Sequence, residues 1–480
     1  MNALWTAKDA AAGTGGSLAG NWQANGVSID SRAVGPGDLF VAIRGPNTDG
    51  HLFVANALAR GAAAAMVARD WAHSPAASAD MKLIVVEDTM DGLNALAQAA
   101  RHRGAARIAA ITGSVGKTSA KEALAHVLSA QGPTAATQGN LNNQWGLPLS
   151  LARMPEESRF GIFELGMNHA GEIEPLSRLL HPDIALITTV EAVHMEFFAS
   201  EEAIADAKAE IFAGMDGAGA AVLNSDNRHF EQLRRQALAA GVGRVHSFGE
   251  DDDADFRLAG WRHADGGSAV EAEIAGRNLS FRIGAPGRHW AQIGVAVLGM
   301  AHLMGADIDE AAGALADIRP PKGRGEQHRV NLPGGAFTVI DESYNASPAS
   351  MRAAISVLGG TPCGTGGRRI AVLGDMLELG PQGAEMHAGL APDLEADGID
   401  LVFAAGPNMA GLFAALPTHM HGLHAATSDG LTDAVAKTVR AGDVVSVKGS
   451  LGSRMAPVVA ALLALDSADD NGGAVRRAAG

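Results

Sequence analysis

Apolar and polar positions alternate in blocks that predict most of the elements. In residues 1–87, DLFVAI (Asp38 to Ile43) and KLIVVED (Lys82 to Asp88) read as short strands bounded by turns. FVANALARGAAAAMV reads as a helix followed by a strand, and AHSPAASAD (Ala72 to Asp80) as a polar loop. From residue 88 a longer rhythm begins: RIAAITG, FGIFELG, DIALITT and AAVLNSD are each followed by polar turns or helix-forming stretches. Buried runs alternating with helices imply parallel strands in a doubly wound sheet. A more strand-like patch, with the acidic loop GEDDDADF, interrupts between His246 and Ile283. Pro320 and Pro321, in RPPKGRG, stop a helix and stiffen a linker. Beyond them TVIDESYN, RIAVLGDM, DLVFAAGP and DVVSVKGS again read as parallel strands. The expectation is an α/β protein of three units: a small N-terminal one (1–87), a central doubly wound sheet (88–319) and a C-terminal Rossmann-like sheet (320–480). The last dozen residues, DDNGGAVRRAAG, read as a frayed tail.

Charge narrows the partners. With 37 Lys+Arg against 53 Asp+Glu the chain carries a net −16, which argues against a nucleic-acid binder while leaving room for a local basic pocket. An apolar share of 47% suffices for globular cores, and no run approaches the 18 apolar residues of a membrane span. The N-terminus lacks the basic-then-apolar order of a secretory signal, and the single Cys363 permits no internal disulfide. A reduced, cytoplasmic enzyme is expected.

The sharpest chemical signal is RIAAITGSVGKTSAKEALAHVL, a strand running into Gly113-Ser114-Val115-Gly116-Lys117-Thr118-Ser119 and then into a helix. Glycines allow close backbone approach, and amides at a helix start cradle phosphate oxygens. Lys117 can reach β- and γ-phosphates, and the Thr118 hydroxyl can ligate Mg²⁺. Only two residues separate Gly113 from Gly116, where the usual signature has four, and a glycine turn before a lysine-capped helix would carry the same letters. Glu164 ends the strand GIFEL, where a carboxylate can hold Mg²⁺ or simply face solvent. Arg324 follows the linker and can reach phosphates with its planar fork. Asp341 ends TVIDE, where a carboxylate can accept ribose hydroxyls.

In their order, TGSVGKTSAKE, GNLNNQWGLPLSL, FELGMNHAGEI, VEAVHMEFF, AKAEIF, LNSDN, DESYNASPASM, VLGDMLELG and VKGS resemble the Mur ligase family, from about Ser31 to Met455. The resemblance implies ATP-driven amide formation through an acyl phosphate, with ATP and two Mg²⁺ ions. It assigns Glu164, His194 and a carbamylated Lys208 to the metal side, and His289 to an adenine-side motif. It places Asn140, Asn143, Tyr344, Asn345 and Lys448 against the peptide substrates, and Ser31 and Arg32 against a uridine diphosphate. Three positions depart from the family: Thr189, Trp290 and Ile293 stand where asparagines are usual. Within the family, DESYNASPASM and the lack of a DNPR string favour joining D-Ala-D-Ala to UDP-N-acetylmuramoyl-tripeptide, by a monomer, in peptidoglycan synthesis. A ligase adding the third peptide residue and a folylpolyglutamate synthetase are the nearer alternatives. A P-loop switch or motor, or a non-catalytic scaffold, are the remoter ones.

Overall fold

The computed structural model describes residues 3–193, 195–264 and 266–467; the tail expected from residue 469 onward lies outside them. The first unit holds a five-stranded sheet in the order Ser17–Ala19, Leu83–Val86, Ala64–Ala68, Asp38–Val41, Gly26–Ser28, parallel except for its first pair. The runs read as strands from the sequence form strands, and Val54–Ala59 forms the helix before one of them.

The central sheet is built from β1 (Arg107–Thr112), followed by helix α1 (Lys117–Ser129), and β2 (Thr134–Ala136), followed by α2 (Gly146–Ala152). Next come β3 (Phe160–Glu164), β4 (Ile184–Ile187), helix α3 (Glu201–Ala209), β5 (Ala220–Asn224) and β6 (Arg244–Gly249). The strand-like patch supplies β7 (Phe256–Ala264), β8 (Gly267–Ile274) and β9 (Arg277–Ile283), and α4 (Arg288–Leu303) follows. The strand order is β9-β8-β7-β6-β5-β4-β1-β3-β2. All pairs are parallel except the two that join β7, β8 and β9. One face packs on α1 and α4 around Leu124, Val127, Trp290 and Val297. The other packs on α2 and α3 around Leu147, Leu151, Ile204 and Phe212. A sheet covered on both faces explains why its strands read as continuous apolar runs.

The third unit contains β10 (Glu326–Leu332), β11 (Gly335–Glu342), helix α5 (Pro348–Gly360), β12 (Arg369–Gly374), β13 (Leu401–Ala405), β14 (His421–Ala425) and β15 (Val444–Lys448). Its order is β10-β11-β15-β12-β13-β14, with β10 alone antiparallel. The fold is the α/β architecture the sequence predicts. The first unit is tied to the second by polar contacts: the buried Trp5 indole donates to Ala152 O at 2.9 Å, and Arg153 Nε, half-buried, donates to Val27 O at 2.6 Å. No helix among the described residues is long and apolar enough to cross a membrane.

Strand register then concentrates chemistry at one edge. Glu164 pairs with Ile111 and Ile187 with Thr112. The C-terminal ends of β3, β1 and β4 therefore lie side by side, where ligand crevices form in open α/β sheets.

Candidate active site

β1 ends at Thr112, and the chain turns sharply into α1. Gly113 has φ +147° and Gly116 φ +86°, a backbone that side chains rarely adopt. A Cβ on Gly113 would also collide with the Thr188 hydroxyl. The loop is stitched to the segment after β4. Ser114 N donates to Thr189 O at 2.8 Å, Thr188 Oγ1 donates to Val115 O at 2.6 Å, and Glu191 N donates to Ser114 Oγ at 2.9 Å. No side chain caps the start of α1, so its first amides are left for an anion. Lys117 folds back, and its Nζ donates to Gly113 O at 2.6 Å. Burial holds the Lys117 ammonium below its ordinary pKa; Glu164 opposes that shift and Arg324 reinforces it.

Beside this loop the buried Glu164 carboxylate is gripped at both oxygens: Thr118 Oγ1 donates to Oε2 at 2.9 Å and Asn142 Nδ2 to Oε1 at 2.8 Å. A hydroxyl and a carboxylate side by side are hard oxygen donors and fit Mg²⁺. His194 lies outside the described residues. Lys208, on α3, is 2% exposed. Burial, and then the charge of Lys117, pushes its pKa well below the ordinary range, and no carboxylate among the described residues forms a salt bridge with it. A buried amine driven toward its neutral form is a nucleophile toward CO₂.

A cavity of about 1100 Å³ opens between the central and third units. Its wall includes residues 114–119, Asn140, Asn143, Glu164 and His289 from the central unit. The linker and third unit add Arg324, Tyr344, Asn345 and Lys448. Arg324 stacks over the Tyr344 ring at 4.5 Å, and Lys448 Nζ donates to Glu342 Oε2 at 3.1 Å and to Asn345 O at 3.0 Å. That pair follows from register, because Glu342 on β11 lies opposite Lys448 on β15.

Other expected residues sit elsewhere. Gly113 and Lys208 are not part of the wall, and neither are Ser31 and Arg32, which lie in the first unit. The exposed Arg32 guanidinium is held by Asp30, with Nη2 2.8 Å from Oδ2. Asp341 does not line the cavity, whereas the next residue, Glu342, does. Alternation along a strand sends neighbouring side chains to opposite faces, and Asp341 lies opposite Glu326 instead.

Three wall residues escape a sequence reading. In GNLNNQWG the residue that touches Glu164 is Asn142, while the Asn143 side chain accepts from Gly146 N at 3.0 Å in the turn into α2. Glu342 hides behind the stronger strand-end signal of Asp341. Glu191 is known as a wall group only through folding, and burial raises its pKa. The residues at the departures 189, 290 and 293 have definite surroundings. Trp290 is core at 2% exposed, and Ile293 Cδ1 faces the loop, 3.7 Å from where a Gly116 Cβ would sit. Thr189 Oγ1 donates to Glu191 Oε1 at 3.1 Å. The amides of Asn224, Asn227 and Gln292 on that wall donate to Thr188 O, Val190 O and Asp226 Oδ2.

The architecture is that of a P-loop nucleotide enzyme whose crevice opens toward a second, Rossmann-like unit. Comparison with known proteins narrows that class. The Mur ligase middle domain matches residues 111–301, the Mur ligase glutamate ligase domain residues 323–451, and the Mur ligase family catalytic domain residues 23–102. The UDP-N-acetylmuramoyl-tripeptide–D-alanyl-D-alanine ligase of Rickettsia prowazekii is 32% identical over 456 residues, covering 95% of this chain and 99% of the relative. The crystal structure of MurF from Acinetobacter baumannii aligns at TM-score 0.82 with 27% identity, over 96% of this chain and 99% of that one. MurF of Thermotoga maritima in complex with ADP aligns at TM-score 0.76 with 26% identity, over 92% and 97% of the two chains. The chain belongs to the Mur ligase family.

The cavity carries a pH signature. Burial lowers the His289 pKa from 6.5 to about 4, outweighing the opposing pull of Glu342, and Lys448 adds to the lowering. Between those values the folded protein binds fewer protons than the unfolded chain, so stability falls as pH drops from about 6.5 toward 4. His289→Gln should flatten that part of the Tm-versus-pH curve. A variant curve parallel to the wild type would remove His289 from this role.

Proposed function

We infer that the protein joins the amine of D-Ala-D-Ala to the terminal carboxylate of UDP-N-acetylmuramoyl-tripeptide at the expense of ATP, forming the pentapeptide precursor of peptidoglycan. The observation that carries this reading is one cavity holding a P-loop lysine, a Glu164 carboxylate held by Thr118 and Asn142, and a Lys448–Glu342 pair from the facing unit. Full-length similarity to ligases of that name gives the substrates.

The chemistry begins with a repulsion. A carboxylate must approach the γ-phosphate, and two unit charges 4 Å apart repel by about 4 kcal/mol at an effective dielectric of about 20. Lys117, released from Gly113 O, meets the β- and γ-oxygens, and the amides opening α1 hold the chain of phosphates in line. Mg²⁺, when bound, supplies positive charge that screens the phosphates, and Thr118 and Glu164 would hold it. The substrate carboxylate oxygen attacks the γ-phosphorus, the bond to the β–γ bridging oxygen breaks, and an acyl phosphate and ADP result. The dipeptide amine then attacks the acyl carbon, loses a proton, and inorganic phosphate leaves. Water competes with that amine, so the cavity must close. Arg324, Tyr344, Asn345 and Lys448 enter the crevice from the linker and third unit, which suits residues 320–480 to closing over ATP held by residues 88–319.

In the same reading residues 1–87 bind the uridine diphosphate through Ser31 and Arg32, and Asn140 and Asn143 meet the peptide arm. Asp341 would reach ribose only after the third unit moves. A carbamate on Lys208 would turn a buried amine beside Lys117 into an anion and so support a second Mg²⁺ with His194. The protein acts as a monomer.

Three measurements test this. Phosphate release should require ATP, UDP-N-acetylmuramoyl-tripeptide and D-Ala-D-Ala together, and Lys117→Ala should lower turnover on the order of 10²-fold or more. Release without the peptide substrates, or a folded Lys117→Ala protein with wild-type turnover, would overturn the reading. Lys208→Ala should be inactive and partly restored by formate or acetate. Failure of every short carboxylate to restore it contradicts the carbamate.

A further inference from the structure

Lys121 is a fully buried lysine that the mechanism above leaves unused. It lies one turn past Lys117 on α1, at 0% exposure, and is not on the cavity wall, so its ammonium is directed away from the phosphates. Its Nζ donates to the carbonyl of Thr137 at 2.7 Å and pairs with Glu122 Oε1, also at 2.7 Å. Thr137 is itself 2% exposed and locked to β3 twice: its amide donates to Ile162 O at 3.0 Å, and its hydroxyl accepts from the Glu164 amide at 3.2 Å. One chain of bonds therefore runs from Lys121 through Thr137 to the backbone of the carboxylate that meets Thr118.

The position of Thr137 shows why such an anchor is needed. It follows β2, a three-residue strand at the edge of the nine-stranded sheet, paired on one side only. Short edge strands are weakly held, and here the strand leads directly into the loop that carries Asn142. A charge-assisted bond to the Thr137 carbonyl pins the strand end from the helix side, where no further strand does so.

We propose that Lys121 is a positioning residue that sets Glu164 and Asn142 for the divalent cation. It acts through Thr137 and touches neither nucleotide nor metal. The proposal rests on the reading of Glu164 as a metal ligand, and outer partners of metal ligands typically change affinity by about 10- to 100-fold.

The test is Mn²⁺ binding to the protein–ADP complex, followed by the loss of the free-ion electron paramagnetic resonance signal, with ADP affinity in the absence of metal measured alongside. Lys121→Met and Thr137→Val should each raise the Mn²⁺ Kd about tenfold, while Lys121→Arg, which keeps the charge, stays within about threefold of wild type. Metal-free ADP affinity should be unmoved in all three. The double variant K121M/E122Q should match K121M. Recovery of tight Mn²⁺ binding in the double variant would show that the effect comes from a liberated Glu122 charge and would overturn the proposal. Wild-type Mn²⁺ affinity in Lys121→Met overturns it directly, and if that variant does not fold, wild-type affinity in Thr137→Val does the same. Glu164→Gln separates the two levels: if it leaves Mn²⁺ binding intact the metal-ligand reading fails, and if it weakens binding while Lys121→Met does not, only the Lys121 proposal fails.

Discussion

Mutual repulsion between a carboxylate and a nucleoside triphosphate is the constraint around which this molecule is organised. Water would screen it, but water would also destroy the acyl phosphate, so the screening has to come from the protein and a cation it would hold. The parallel sheet meets that need with its geometry. Strands that end together deliver a glycine loop, a carboxylate and a hydroxyl-bearing segment to one edge, and a helix begins there with unsatisfied amides. Burial lowers the Lys117 pKa and Glu164 opposes that shift, so an arriving anion favours the charged form of the lysine.

The third unit answers the same constraint from the opposite side. Lys448 and Glu342 neutralise each other across β15 and β11, so a buried lysine is held close to the crevice without an uncompensated charge. The Arg324 guanidinium sits over the ring of the chain's single tyrosine and adds a second cation on that side. Positive charge is thus carried on both faces of the cavity in a protein whose net charge is −16.

Much of this was legible in the sequence because it is local. The apolar runs predict the strands, and the glycine loop, Lys117 and Thr118 follow one another along the chain, so their chemistry survives without coordinates. Glu164 was legible as a strand-end acid. What escaped depends on contacts between distant residues. Asn142, not its neighbour Asn143, reaches Glu164, because the Asn143 side chain is engaged by Gly146 N in the turn into α2. Asp341 and Glu342 differ by one position, and strand alternation alone decides which faces the cavity. The burial of Lys208 and Lys121 depends on whole helices docking, which no window of sequence reports. At position 290 a tryptophan fills core volume where the resemblance expects a polar contact, while Asn224, Asn227 and Gln292 on the cavity wall donate to Thr188 O, Val190 O and Asp226 Oδ2.

The most direct test is a crystal structure with a non-hydrolysable ATP analogue and Mg²⁺. The account requires a γ-phosphate oxygen about 3 Å from Lys117 Nζ. It also requires the Gly113 carbonyl to have lost that lysine and the metal to touch Thr118 and Glu164. A triphosphate bound outside the Gly113–Thr118 loop, with Lys117 still on Gly113, would contradict it.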